Sequence, residues 1–101
     1  MMYRQGDVLI EAVSGVESGQ NEPRRADGAI VLVDGEATGH AHVVRERTAR
    51  AVRTAQALYL MCLAQSVVEH EEHSPIILPA GNYRVTRQRE YSPEAIRNVQ
   101  D

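Results

Sequence analysis

Hydrophobic positions fall mostly into short runs separated by turn-forming residues, a spacing that suits strands better than helices. "GDVLIEAV" is β-branched and aliphatic, with Val8, Ile10 and Ala12 on one face, and predicts a strand. Residues 14–28, "SGVESGQNEPRRADG", supply Gly, Ser, Asn and Pro without periodicity and predict a long exposed loop. "AIVLV" predicts a second strand. Asp34-Gly35 after it is a hairpin signal, because both central residues of a type I′ turn take positive φ. The following strand is then expected to begin near Glu36 and to carry the "HAH" triplet.

The middle of the chain reads two ways. "RERTARAVRTAQALYLMCLAQ" is rich in good helix formers, and Ala49, Val52, Ala55, Tyr59 and Leu63 make a helical stripe. "ALYLMCLA" followed by "SVVEH" reads equally as two short buried strands around a turn. We expect strands from about Ala57, with residues 46–56 open between helix and strand. "NYRVTRQREY" alternates Tyr83 and Val85 against Arg84 and Thr86 as a final strand. Over residues 92–100, Ser92 as N-cap, Pro93 at the first helical position and Glu94 in the first turn predict a short C-terminal helix. The expected fold is all-β: one domain over residues 1–101, a small barrel or sandwich with that helix appended.

Composition narrows the function classes. A formal net charge of -3 with 43% hydrophobic residues is an ordinary soluble balance. No apolar run approaches the roughly 20 residues of a membrane span, and "MMYRQGD" does not read as a signal peptide. A single cysteine, Cys62, excludes an internal disulfide and fits a reducing cytoplasm. It lies within "ALYLMCLA", which predicts a buried thiol rather than a nucleophile.

The chain's four histidines are gathered into an HxH, His40 and His42, and an HxxH, His70 and His73. Side chains two apart on a strand share a face, so His40 and His42 would project together. Glu36, Thr38 and Glu46 have the same parity, unless Gly39 bulges the strand. Three apart is a shared face only on a helix or turn. "HEEH" is therefore either a turn presenting both His70 and His73 or a strand presenting one, and Pro75 favours the turn. Imidazole suits several transition metals, and three histidines, with or without a carboxylate, make a site that keeps a coordination position open. A lone exposed pair is usually a titrating surface feature, and Glu69, Glu71 and Glu72 also fit a plain acidic strand edge. Two pairs that use every histidine favour a site for a divalent transition metal, whether zinc, iron, nickel or manganese.

"GEATGHAHVVRE" resembles the first metal motif of the cupin superfamily of small β-barrels, with Gly35 as its glycine, His40 and His42 as ligands and Glu46 as the later glutamate. The glycine-to-histidine gap is one residue short, and the closing glycine is absent. "LPAGNYRV" resembles the Pro-x-Gly of the second cupin motif at Pro79 and Gly81, but Asn82, Tyr83 and Arg84 stand where the ligand histidine should follow. His70 or His73 would have to substitute for it. The run from "YRQGDVLI" through "TGHAH" and "HEEH" to "QREY" is also similar to a group of small bacterial and phage-associated proteins.

Two functions follow. The first is a non-catalytic metal-binding or metal-sensing module acting on a protein partner or a second copy. The other is a cupin-type metalloenzyme with oxygenase, isomerase or hydrolytic chemistry, in which Glu46, Glu71 or Glu72 serves as ligand or general base. A domain of this length leaves little room for a shaped pocket, which ranks the module first. Nucleic acid ranks third: Arg45, Arg47, Arg50 and Arg53, with Arg84, Arg87 and Arg89, would form a basic stripe, but glutamates interleave with them.

Overall fold

The computed structural model describes residues 1–35 and 39–87. In chain order its strands are β1 (Met2–Gln5), β2 (Val8–Val13), β3 (Gln20–Asn21), β4 (Ile30–Asp34), β5 (Ala41–Val44), β6 (Ala49–Arg53), β7 (Leu58–Cys62), β8 (Ser66–Glu69), β9 (Ile76–Leu78) and β10 (Gly81–Arg87). They form two antiparallel sheets, a larger one ordered β1-β2-β10-β7-β6-β3 and a smaller one ordered β4-β5-β8-β9. The expected C-terminal helix at 92–100 lies outside the described residues.

The core sits between the sheets. Val8, Ile10, Leu58, Leu60, Tyr83 and Val85 of the larger sheet pack with Ile30, Leu32, Val44, Val68 and Leu78 of the smaller. Each fully buried aliphatic side chain contributes roughly 1.5–3 kcal/mol. A cupin-like closed barrel is not seen, because among the described residues no ladder joins the edge strands of one sheet to those of the other. The alternation that marks strands in the sequence is the same in a sandwich and a barrel. It is edge pairing that separates them.

Some expectations are met and others corrected. The strands expected from about Ala57 form as β7 and β8, and the stretch 46–56, open between helix and strand, contains β6. Ala49 and Ala51 are buried, Arg50 is exposed between them and Leu63 is exposed in the turn after β7. That is period two, and the side chains facing the core decide it over the helix propensity of Ala and Arg. Ala12 is exposed while Val8 and Ile10 are buried. The 14–28 loop contains β3 and is tied down: Glu22 N donates to Ala51 O at 2.8 Å, and Tyr59 Oη donates to Glu17 at 2.7 Å. Arg24 donates to the carbonyls of Gly28, Glu46 and Ala49.

β4 and β5 do form a hairpin, but its ends are Asp34 and Ala41, closed by Gly35 N donating to His40 O at 2.6 Å. The two-residue Asp34-Gly35 turn is therefore not formed, and the paired part of β5 runs from Ala41, while Glu36 lies outside the described residues. A bulge between Val31 and Val33 offsets the register, leaving Val33 opposite His42. The two-residue hairpin is at Gly6-Asp7 instead, where Gln5 pairs with Val8. Gly6 alone of the two has positive φ (60°), as a type II′ turn requires.

Candidate functional site

The four histidines meet at one end of the sandwich, where the start of β5, the β8–β9 turn and the β1–β2 turn come together. His42, second residue of β5, is 4% exposed and faces inward with Val44. His40 precedes the strand, after Gly39 at φ 74°. "HEEH" is a turn following β8, so both His70 and His73 reach the cluster. The His70 ring centre lies 4.3 Å from that of His42, 4.7 Å from His73 and 5.7 Å from His40. His73 stacks over His42 at 6.1 Å.

Three of the four rings are held by hydrogen bonds. His42 Nδ1 meets Gln5 Oε1 at 2.7 Å, and His40 Nδ1 meets Glu72 Oε1 at 2.5 Å. Glu72 also donates its backbone N–H to His70 Nδ1 at 3.0 Å. Glu71 Oε1 accepts from Ala41 N at 3.2 Å. Its own backbone N–H and that of Ala41 hold its carboxyl below the usual range. Burial, reinforced by His70, pushes the His42 imidazole down to about 4, so it is neutral at pH 7. Burial acts to raise the Asp7 carboxyl, but the hydrogen bond and charge of Arg87 outweigh it and hold Asp7 below its ordinary value.

His73 lies against Gly6, its Nε2 only 2.6 Å from where a Cβ on Gly6 would stand. Gly6→Ala should therefore both strain the turn and displace the His73 ring. We expect a loss of about 1–2 kcal/mol in urea unfolding, with the His73 imidazole signals shifted in the nuclear magnetic resonance spectrum.

The structure brings His40, His42, His70, His73, Glu71 and Glu72 together. It does not bring Glu46, which sits in the turn after β5 with its carbonyl bonded to Arg24 and Ala49 and its carboxyl near the Cys62 thiol. Its Oε1 is buried without a hydrogen-bond partner among the described residues. Glu36 and Thr38 lie outside the described residues. Gln5 and Asp7 belong to the site and escaped the sequence reading. Gly6-Asp7 between two alternating runs was the available signal for the hairpin that places them.

Among the described residues, no three His, Cys, Asp or Glu groups already stand as a metal-holding set. The rings are gathered but not converged on one point. For His70 to join an ion through Nδ1 its ring has to turn, because that nitrogen accepts from the backbone N–H of Glu72.

A family model described as a domain of unknown function, DUF8820, matches residues 4–88. The chain belongs to the DUF8820 family. The match takes in strands β2 to β10, the second half of β1 and the whole histidine cluster. It is to DUF8820 and not to a cupin family, and two open sheets stand in place of the cupin barrel. No curated protein and no solved structure matches the chain.

Other features of this DUF8820 domain bear on the remaining readings. Three arginines of the expected basic stripe face carboxylates: Arg45 pairs with Asp27 and Glu69, Arg53 with Glu22, and Arg87 with Asp7. Arg89 lies outside the described residues. Cys62 is buried, and burial pushes its thiol up, which disfavours the reactive thiolate. Among the described residues no helix is long and apolar enough to cross a membrane.

Proposed function

We propose that this DUF8820 domain is a small module that binds one divalent transition-metal ion through its histidine cluster, with His40, His42 and at least one of His70 and His73 as ligands. The observation that carries the reading is the support behind the rings. His42 and His40 each turn Nδ1 to an oxygen acceptor, Gln5 and Glu72. Ligating histidines are oriented in this way, donating one ring N–H outward so that the other nitrogen faces the metal. Zinc, iron, nickel and manganese all suit a mainly imidazole site with carboxylates nearby.

A binding role is favoured over catalysis by what the glutamates do. Glu72 holds His40 and His70, and Glu71 holds the start of β5. Each carboxylate has one oxygen engaged in positioning the cluster, a use that suits a binding module.

The test is elemental analysis of protein purified without a histidine tag, followed by titration with Co²⁺ and its visible absorption. One equivalent per chain with a tetrahedral or five-coordinate spectrum is expected. A chelator should then lower the melting temperature, since an ion bound only to the native state stabilises it by mass action. Protein that takes up no stoichiometric metal under these conditions removes the reading.

A further inference from the structure

The β1–β2 turn brings to the cluster a carboxylate that no motif around the histidines contains. Asp7 Oδ2 accepts from Arg87 Nε at 2.7 Å, while Oδ1 lies 3.8 Å from His42 Nε2. What that second contact means depends on where the His42 proton sits, and Gln5 decides it. Gln5 is 2% exposed, and its Nε2 donates to the carbonyls of Val68 at 3.0 Å and Ser74 at 2.9 Å. Carbonyl oxygens only accept, so the carboxamide has one orientation, with Oε1 toward His42 Nδ1. Oε1 also only accepts. His42 therefore keeps its proton on Nδ1 and a lone pair on Nε2.

Nε2 and Asp7 Oδ1 are thus two acceptors facing each other across 3.8 Å with no ring proton between them. An ion that both bind at about 2.1 Å lets its two ligand atoms stand up to about 4.2 Å apart. The gap admits one cation.

From this geometry we infer that Asp7 Oδ1 and His42 Nε2 are ligands of the same divalent transition-metal ion, with Gln5 the positioning residue that fixes the tautomer of His42. The inference rests on the metal-binding reading above and assigns Asp7, in place of Glu46, Glu71 or Glu72, as the carboxylate of the centre. His73, whose ring lies against Gly6, stands beside the same turn and is the third donor this arrangement favours.

The experiment compares Co²⁺ affinity in four proteins by optical titration against a competing chelator. Asp7→Asn should weaken binding 10-fold or more, and Arg87→Gln, which breaks the same ion pair but keeps Asp7, should weaken it by less than Asp7→Asn does. Glu46→Gln, which changes a carboxylate that lies away from the cluster, should stay within about 3-fold of wild type. A second measurement needs no metal: ¹⁵N shifts of metal-free wild type should show His42 as the Nδ1–H tautomer, and Gln5→Leu should lose that preference. Wild-type affinity in Asp7→Asn, or an Nε2–H tautomer at His42, overturns the assignment while leaving the metal-binding reading intact. Wild-type protein that takes up no Co²⁺ overturns both.

Discussion

Protein in which His40 and His42 are both replaced by alanine should take up no stoichiometric metal. These two residues are the best supported of the cluster, one by Glu72 and the other by Gln5. A closed zinc site is worth roughly 10–16 kcal/mol, which puts about 3 kcal/mol on each of four ligands. Losing two should therefore weaken binding on the order of 10⁴-fold. Metal content after gel filtration, read by plasma mass spectrometry, checks this. Far-ultraviolet circular dichroism shows whether the variant keeps its sheets. A folded double variant with unchanged metal content sinks the proposal.

The metal-free protein should also be acid-labile well above the range in which carboxylates titrate. Burial holds native His42 at about 4, against an ordinary value of 6.5. Between those values the unfolded chain binds a proton that the native protein refuses, so stability falls as pH falls. The contribution is fully present above pH 6.5 and is gone below about pH 4. At 1.36 kcal/mol per pH unit the loss is about 3 kcal/mol, a large share of the roughly 5–15 kcal/mol that stabilises a domain. Urea unfolding from pH 7.5 to 4 should show that slope, and His42→Gln should flatten it. A wild-type profile flat between pH 6.5 and 4.5 contradicts the burial argument.

The sequence displayed the two histidine pairs and the strand character of β2 and β10, because those depend on residue scarcity and on alternation within a few positions. "NYRVTR" alternates and forms β10, with Tyr83 and Val85 inward. Other features were hidden because they depend on distant parts of the chain. The Ala and Arg of β6 favour a helix locally, and only the core against Ala49 and Ala51 makes them a strand. Asp34-Gly35 has the chemistry of a tight turn, yet the chain pairs Asp34 with Ala41 and leaves a longer connection. Gln5 and Asp7 lie 37 and 35 residues before His42, counted along the numbering, and nothing near the histidines announces them. Polar partners of a buried imidazole are chosen by the fold, whereas the imidazole itself is visible in any window that contains it.

The cluster also draws its halves from different sheets. Gln5 and Asp7 come from the hairpin of the larger sheet, while the four histidines belong to the start of β5 and the turn after β8 in the smaller. The smaller sheet carries the imidazoles and Glu72, but the groups that face His42 come from the larger one. Contacts between such distant segments involve costly loop closure, so the site is completed only once the two halves have docked. An ion held there would act as a clasp across the seam. Its capture would certify finished assembly, and its escape would be the earliest sign that the two halves had begun to part.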